Sequence, residues 1–552
     1  MPFRIASGLL IIITSLLSNP LNAQFFEVQT EFSRYDSLRG TITPERAWWD
    51  VTYYHIDVDV NLQDSTLSGS NLIRYRVDSL TTSILQIELQ QPMMITSVKQ
   101  EGEELMFERD SSFYFIQTHP QKQIGKIEEI EINFEGKPIK AANAPWDGGF
   151  VWARDENGMP FVANANQGIG ASVWWPNKDH AYDESDSMLI SVTIPDELTN
   201  VSNGRLREVT ENNDGTKTWH WFVSNPINNY GVNVNIGNYV NFKEVIDGEA
   251  GALDADYWVL EQNLEKAVEQ FADAPRTIEA FEYWFGPYPF YEDSYKLVEA
   301  PYLGMEHQSS VTYGNGYQNG YSGRDLSGSG WGLKFDFIIV HETGHEWFAN
   351  NITYKDVADM WIHESFTHYS EYLFLEYHFG EQAADEYARG VRFSIQNDRP
   401  IIGKYDVHYE GSSDMYYKGG NMLHTLRQVF VDDSLWRATL RGLNRDFRHQ
   451  TVSSAQIENY LSDAYGADLS LFFDQYLRDI RIPVLEYSFR DGNLLYRWRN
   501  VISGFTMPIK VYLDEAEQWI APYTNWQALE SFAEELRVHP DFYVSSQNIL
   551  GN

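Results

Sequence analysis

The sequence contains no cysteine among its 552 residues. Disulfide bonds and thiolate chemistry are therefore excluded, and any metal site must use nitrogen and oxygen ligands. Basic residues are also scarce, with 41 Lys and Arg against 79 Asp and Glu, which gives a formal net charge of −38. This charge argues against nucleic acid and against an anionic membrane surface as partners. A solvated acidic surface that aids solubility is its simplest interpretation.

Long apolar runs are missing from the chain after its N-terminus. Residues 1–23 have the pattern of a secretory signal: Arg4 precedes an apolar run over 5–17, and Ala23 ends a typical cleavage site. The run is too short to span a bilayer comfortably, and no later stretch qualifies as a transmembrane helix. We therefore expect export to the periplasm or the extracellular space, with a mature chain that begins near Gln24 and has no stable membrane span. An uncleaved N-terminal anchor is the alternative.

The remaining composition, 43% hydrophobic and 15% aromatic, is typical of a globular protein, and the length suggests several domains. Alternating apolar and polar residues recur between about 48 and 245, with turn signals such as Asn203-Gly204, and predict a large antiparallel β domain. Helical spacing of apolar residues predicts a helix over 256–285, and similar spacing recurs to about 477. The period returns to two from about 482 to 540, with a hairpin at Asp491-Gly492, and predicts a small C-terminal β domain.

The fold class predicted is thus multidomain α+β. The predicted boundaries are a signal peptide at 1–23, an N-terminal β domain at 24–247, a largely helical domain at 248–480 and a C-terminal β domain at 481–552.

The strongest motif is His341-Glu342-Thr343-Gly344-His345. On a helix the two histidines, four residues apart, share one face and can bind one Zn²⁺ together. Glu342 lies about 100° round the helix, where it can reach a water at the metal and act as general base. Glu364 follows His345 after eighteen intervening residues, enough for a turn and a second helix, and supplies a third ligand.

Two histidines and one glutamate leave a coordination position open, as a catalytic site needs. We therefore predict one catalytic Zn²⁺ per chain, held by His341, His345 and Glu364, although other divalent metals would be accepted in vitro. His368, four residues after Glu364, is a rival ligand by spacing alone. A degenerate relative without metal is the other alternative.

This spacing and its flanking residues resemble the gluzincin aminopeptidases of the aminopeptidase N and leukotriene hydrolase family. The resemblance extends from about residue 45 to about residue 540. It implies a saddle-shaped N-terminal β domain, a thermolysin-like mixed α/β catalytic domain and a small C-terminal β-sandwich domain. The family's large helical C-terminal domain is not expected, because the β pattern runs almost to the end of the chain at Asn552.

Further residues take their expected roles from the same resemblance. The run Leu303-Gly304-Met305-Glu306-His307 resembles the family's G-x-M-E-N exopeptidase motif, with departures at Leu303 and His307. The resemblance implies that Gly304 and Met305 bind the substrate backbone and that Glu306 pairs with the substrate's α-ammonium. Gln167 matches the glutamine that binds the same amine, although Ser172 stands where the family usually has arginine.

Three other stretches carry expectations. Tyr416-x-Lys418-Gly419 resembles the motif whose tyrosine hydroxyl stabilises the tetrahedral intermediate. Glu371 lies seven residues after Glu364 on the same helix face, where it can hydrogen-bond a ligand histidine. Residues 314–332, rich in Gly, Ser, Asn and Tyr, predict a loop that either covers the cleft or is simply solvated.

Together these motifs predict an exported zinc metallo-aminopeptidase that hydrolyses the first peptide bond of peptides with a free N-terminus, with a monomer favoured. The alternatives are a catalytically inactive peptide-binding relative, a zinc endopeptidase and an epoxide hydrolase of the same family. Cleavage of an N-acetylated peptide would indicate the endopeptidase. Zinc binding without turnover of any peptide would indicate the binding protein.

Overall fold

The structure is a computed structural model, and it describes residues 31–120 and 123–549. The predicted signal segment, 1–23, lies outside the described residues. The predicted α+β class is confirmed: a β-rich N-terminal part is followed by a mixed α/β part and a C-terminal pair of sheets. Across the described part of the chain, no helix is long and apolar enough to cross a bilayer.

The N-terminal part begins with two short helices and continues as β-strands. The helices are α1 Arg34–Gly40 and α2 Pro44–Ala47. The strands are β1 Trp49–Asn61, β2 Thr66–Val77, β3 Ile84–Glu88, β4 Met94–Gln100, β5 Glu103–Glu104, β6 Phe107–Asp110, β7 Phe113–Gln117, β8 Ile127–Gly136, β9 Gly149–Arg154, β10 Pro160–Ala165, β11 Ser187–Pro195, β12 Thr199–Val201, β13 Arg205–Glu211, β14 Thr216–Val223 and β15 Asn235–Gly237.

Eight of these strands form one sheet in the order β13-β14-β11-β1-β2-β8-β4-β5. In β1, Ile56 and Val58 are buried while Asp57 and Asp59 are exposed, the alternation of a strand with one face on the core. Most pairs in the sheet are antiparallel, as predicted. The β1–β11 pair is parallel, with Ile56 opposite Ile190, because the chain passes through the separate β9–β10 sheet before β11.

The mixed part carries most of the helices. Its elements are β16 Tyr239–Gly248, β17 Gly251–Leu260, α3 Leu264–Gln270, α4 Asp273–Phe285, β18 Tyr295–Glu299, β19 Gly304–Met305, β20 Val311–Tyr313, α5 Phe337–Gly344, β21 Ile352–Tyr354, α6 Trp361–Phe379, α7 Glu381–Val391, α8 Tyr417–Phe430, α9 Asp433–Asp446, β22 Gln450–Val452, α10 Ser454–Tyr465 and α11 Ser470–Leu477. Five strands form its main sheet, in the order β16-β17-β18-β20-β19.

The helix predicted over 256–285 is wrong at its start. Residues 256–260 are the end of β17, which pairs antiparallel with β16 and parallel with β18. Leu253, Ala255, Tyr257 and Val259 are buried at every second position, so the period there is two rather than 3.6. The helices begin only at Leu264. The segment boundaries predicted from the sequence stay a prediction.

The C-terminal part consists of two sheets, with orders β27-β24-β23-β29 and β26-β25-β28. Its strands are β23 Val484–Arg490, β24 Asn493–Arg499, β25 Ile509–Leu513, β26 Ala516–Ile520, β27 Gln527–Glu530, β28 Leu536–Val538 and β29 Ser545–Asn548. Trp498, Phe505 and Phe542 belong to the same hydrophobic core as the catalytic helices, whereas the N-terminal sheet has a core of its own. The C-terminal part therefore packs directly onto the helices that carry the motifs.

Candidate active site

The two motif histidines lie at the end of α5. The Asp336 carboxylate begins this helix by accepting hydrogen bonds from the backbone N–H groups of Ile338 and Ile339, at 3.0 and 3.3 Å. His341 lies in the last turn and His345 directly follows Gly344, with 5.0 Å between the two ring centroids. The helical spacing predicted from the sequence therefore holds up to His345.

The backbone leaves the helix immediately after this point. Ala349 has φ 152° and ψ −54°, a conformation that residues with a side chain rarely adopt. The turn presents the Phe348 carbonyl to His345, whose Nδ1–H donates to it at 3.0 Å. The proton of the ring is thereby placed on Nδ1, and Nε2 keeps its lone pair for the site.

Glu364, on α6, faces both histidines. Its Oε2 lies 3.8 Å from His341 Nε2 and 3.5 Å from His345 Nε2. Ligand atoms about 2.1 Å from a tetrahedral metal lie about 3.4 Å from one another, so these separations fit one Zn²⁺. Within residues 31–120 and 123–549, Glu364 Oε2 is a buried atom without a hydrogen-bond partner. The predicted ligand set therefore fits the metal.

The charge of the set also fits a cation. Burial opposes ionisation of Glu364, but the neighbouring His345 and His341 outweigh it and lower the pKa of the carboxyl group below its ordinary value. The group is therefore an anionic oxygen ligand at neutral pH. Two imidazoles and one carboxylate are the donor types that Zn²⁺ prefers when sulfur is absent.

Glu371 contacts a ligand histidine, as expected. Its Oε1 accepts hydrogen bonds from His341 Nδ1 at 2.8 Å and from His368 Nδ1 at 2.9 Å, and its Oε2 accepts one from the Tyr387 hydroxyl at 2.8 Å. Burial raises the pKa of Glu371, but His368 and His341 outweigh it and bring the pKa to about 2. The carboxylate is therefore ionised and fixes the tautomer of His341.

His368, the rival ligand by spacing, takes part in a second group. His341, His368 and Glu371 also lie close enough together to hold an ion. In that group both histidines already donate their Nδ1–H to the Glu371 carboxylate, so these two nitrogens are not free to bind a metal. The geometry therefore favours His345 and Glu364 over His368 as partners of His341.

Glu342 lies beside the ligands and against the strand β19. Burial raises its pKa to about 7, and the charges of Glu306 and Glu364 add to this while His341 opposes it. A Cβ on Gly304 would come within 2.9 Å of Glu342 Oε1 and within 2.6 Å of Ile338 Cγ2. Glycine at 304 is therefore what allows β19 to approach the Glu342 carboxylate so closely.

The strand β19 occupies the edge of the five-stranded sheet, and the buried Met305 is its last residue. Glu306 follows directly and is 2% exposed. Its backbone carbonyl accepts a hydrogen bond from Asn350 Nδ2 at 3.0 Å, which ties the end of β19 to the turn after α5. Burial and the charge of Glu364 raise the pKa of Glu306, while His345 opposes the shift.

Gln167 reaches this site from the N-terminal part of the chain, two residues beyond β10. Its Nε2 donates to Glu306 Oε1 at 2.7 Å and to Glu364 Oε1 at 3.0 Å. The structure therefore brings all three predicted side chains together. Because both acceptors are carboxylates, the amide nitrogen must face them, and Gln167 Oε1 remains as an acceptor.

Tyr416 precedes α8 and faces His341, with 6.2 Å between ring centroids. Burial and the charge of Glu364 raise its pKa well above the ordinary value, so the phenol keeps its proton. Tyr417 instead packs edge-on against His368 at 5.1 Å. Only glycine fits at position 419, because any Cβ there would overlap the Ser365 side chain, so the start of α8 lies directly on α6.

One departure from the family pattern, His307, and the predicted loop at 314–332 also have defined contacts. His307 is buried between β19 and β20, and its Nδ1 lies 3.3 Å from Thr312 Oγ1. Burial lowers its pKa to about 3, so the side chain is neutral. In the loop 314–332, Asn315 Nδ2 donates to Asp336 Oδ1 at 2.9 Å, which ties the loop to the first turn of α5. A covering role for this loop stays a prediction.

Sequence reasoning missed two contributors. The Phe348 carbonyl carries no side-chain signal at all. Tyr387 lies on α7, where its spacing indicates a core residue only; its hydroxyl contact with Glu371 depends on how α7 packs on α6.

The chain is similar to known metallopeptidases. Residues 270–476 match the model of the peptidase family M1 domain. The chain is 26% identical over 276 residues to aminopeptidase N of Lactococcus lactis subsp. lactis, covering 46% of this chain and 31% of the relative. It is 22% identical over 456 residues to probable aminopeptidase 1 of Sulfurisphaera tokodaii, covering 79% and 54%. The chain thus spans about half or less of these relatives.

A solved structure shares the fold. It is an M1 zinc metallopeptidase mutant from Deinococcus radiodurans bound to a Tyr-Ser-Ala substrate, with a TM-score of 0.65 and 18% identity over 78% of this chain and 95% of that chain. The family implies one catalytic zinc, which the donor set described above fits. The matching domain over 270–476, the aminopeptidase relatives and the shared fold agree with the resemblance to gluzincin aminopeptidases that the motifs indicate.

Proposed function

We propose that the protein is a zinc aminopeptidase that removes the first residue from peptides with a free N-terminus. One observation carries the proposal: Gln167 Nε2 bridges Glu306 and Glu364 at 2.7 and 3.0 Å. The acid suited to bind an α-ammonium therefore lies next to the acid suited to bind the metal. A peptide held by its amine at Glu306 has room for only one residue before the scissile carbonyl reaches the metal ligands.

His341, His345 and Glu364 would hold the zinc ion. When bound, zinc lowers the pKa of a water molecule and polarises a carbonyl group. The Deinococcus structure is described as a zinc metallopeptidase with a tripeptide substrate, which supports the same metal and substrate class here.

The remaining steps belong to the side chains. Glu342 takes a proton from the attacking water and passes it to the leaving amine, since it is buried, lies next to His341 in the chain and has a pKa of about 7. Tyr416, which keeps its proton, donates a hydrogen bond to the developing oxyanion. Glu306 pairs with the α-ammonium, and Gln167 Oε1 accepts a further hydrogen bond from it.

We also propose that the protein is exported, works in the periplasm or outside the cell, and acts as a monomer. The support for export is the charged, apolar and small-residue pattern of 1–23, which lies outside the described residues. N-terminal sequencing of the protein recovered from its native host tests the proposal. A mature chain that begins near Gln24 is expected, and recovery of intact Met1 in the cytoplasm would contradict it.

The decisive experiment compares two peptides that differ only in a free or acetylated N-terminus, both incubated with the purified zinc-loaded protein. Release of one residue from the free-amine peptide alone is the expected result, because acetylation removes the charge that Glu306 binds. Cleavage of both peptides would be consistent with zinc-dependent hydrolysis but would contradict the role of Glu306 in amine binding, and it would indicate an endopeptidase. Cleavage of neither, with zinc bound, would indicate a peptide-binding relative without catalysis.

A further inference from the structure

A second group of metal-ligating side chains lies where the C-terminal sheets meet the catalytic helices. Asp385 comes from α7, His424 from α8, and Asp541 from the segment between β28 and β29. His424 Nε2 lies 3.5 Å from Asp385 Oδ1 and 3.7 Å from Asp541 Oδ1. None of the three belongs to the site described above.

Two of the three converging atoms lack hydrogen bonds. His424 is 2% exposed and Asp541 is 4% exposed. In the part of the chain that the structure describes, neither His424 Nε2 nor Asp541 Oδ1 has a hydrogen-bond partner. Asp541 Oδ1 has ion-pair neighbours, but among the described residues neither it nor His424 Nε2 makes a hydrogen bond. A buried polar atom without a hydrogen bond carries a desolvation cost of about 1–3 kcal/mol, so the arrangement favours a ligand between the two atoms.

The separations match those around a metal ion. Atoms bound about 2.1 Å from a tetrahedral ion lie about 3.4 Å apart, close to the two distances here, whereas a normal hydrogen bond between these groups is about 2.7–3.2 Å. An imidazole with two carboxylates suits a divalent transition metal such as zinc better than calcium or magnesium, which prefer oxygen alone.

We propose that Asp385, His424 and Asp541 form a second divalent-metal site, which takes zinc and joins the C-terminal part to α7 and α8. Asp385, with 17% of its side chain exposed, is the partly open side of the group. A water molecule can complete the coordination from there. Because its three ligands come from three separate elements, the ion holds the two parts of the chain together rather than taking part in peptide hydrolysis.

Two basic side chains lie beside Asp541. Arg389 Nε lies 3.4 Å from Asp541 Oδ1, and His539 Nδ1 lies 3.3 Å from Asp541 Oδ2. The Arg389 side chain is 34% exposed, and its Nε–H already donates to the Asp385 backbone carbonyl at 2.9 Å, so this donor is satisfied without Asp541. A purely ionic contact among Arg389, His424 and the two aspartates is the competing explanation, and it differs in needing no metal.

Metal counting separates the two explanations. The full chain is stripped with a chelator and equilibrated with zinc by dialysis, and bound zinc is measured by mass spectrometry. Two zinc ions per chain are expected for the wild type and one for Asp541→Asn. This substitution preserves the size of the side chain, and the variant should hydrolyse the free-amine peptide as fast as the wild type. Asp491→Asn is the matched control: its side chain is 90% exposed, and two ions are expected.

Thermal unfolding gives a second readout. Zinc should raise the Tm of the wild type by about 2 °C or more beyond the rise seen for Asp541→Asn, since a ligand bound only to the folded state stabilises it. If Asp541→Asn does not fold, Asp385→Asn, at the more exposed position, replaces it. Equal zinc content in the wild type and the variants, with equal zinc-dependent shifts, would overturn the proposal and leave the ionic contact.

Discussion

Gln167 Nε2 lies 2.7 Å from Glu306 Oε1, although 139 positions separate the two residues in the chain. One comes from the loop after β10 and the other from the end of β19. The hydrogen bond therefore forms only when the N-terminal part is docked on the helical part, and it closes the corner that we propose binds the amine. If the proposed function holds, the contact that packs these two parts together also helps to recognise the substrate's first residue.

Glu306→Gln should raise KM for free-amine peptides by about 10- to 100-fold, because a charge-assisted hydrogen bond contributes about 1.5–3 kcal/mol. Steady-state kinetics with a short peptide measure this. The exposed Glu381→Gln is the control and should leave KM unchanged. An unaltered KM in Glu306→Gln would remove this residue from amine recognition.

Glu342→Gln should abolish peptide hydrolysis while zinc stays bound, since the amide cannot accept the proton of the attacking water. Activity and zinc content are measured on the same preparation. Because Glu342 is not one of the three proposed ligands, the metal content should equal that of the wild type. A variant that still turns over peptide would overturn the assignment of the base.

Tyr416→Phe should lower kcat by about 10²-fold or more, with only a modest change in KM, because the hydroxyl acts on charge that develops after substrate binding. Tyr417→Phe, one residue further on and packed against His368, is the matched control. It should retain nearly full kcat. If the two variants behaved alike, the oxyanion role would have to be given to another group.

Gly304→Ala should lower kcat without loss of zinc, because the added Cβ would come within 2.9 Å of Glu342 Oε1 and push the carboxylate aside. A displacement of about 1 Å in a reacting group can cost about 10²-fold in rate. Gly231→Ala serves as the control, since a Cβ there meets no described atom closer than 3.7 Å. Full activity in Gly304→Ala would show that Glu342 tolerates the methyl group.

Ala349→Gly should stabilise the protein. The backbone at φ 152° costs a residue with a side chain about 1–3 kcal/mol, whereas the extra freedom of glycine in the unfolded chain costs about 0.5–1 kcal/mol. The first effect is larger, so Tm should rise. Ala438→Gly, at an exposed position inside α9, should do the opposite and cost about 1 kcal/mol. Thermal denaturation of both variants tests the sign, and a lower Tm for Ala349→Gly would contradict it.

The sequence predicted most of what depends on local spacing. The separation of His341 and His345 has a direct geometric meaning on a helix, and the alternation in β1 has one in a sheet. The zinc donor set and the three segments of secondary structure followed from such patterns. The helix prediction for residues 256–260 was wrong because a short apolar stretch fits both the helical and the strand period. Only the pairing of β17 with β16 and β18 decides between the two.

Contacts between residues far apart in the chain leave no pattern of local spacing in the sequence. The Phe348 carbonyl that receives His345 Nδ1–H comes from a backbone turn and not from a residue type. The group of Asp385, His424 and Asp541 spans three elements, the last of them far along the chain in the C-terminal part. Such relationships depend on how helices and sheets dock, which local periodicity does not encode.

The carboxylate of Glu371 receives hydrogen bonds from three helices at once, through His341 on α5, its own helix neighbour His368, and Tyr387 on α7. These hydrogen bonds preorganise the site, because they hold the His341 ring in one orientation and place its proton on Nδ1. An arriving ion therefore meets a lone pair that is already aimed, and little conformational entropy remains to be lost on binding. The helices that build the hydrophobic core therefore also orient the His341 imidazole toward the metal position.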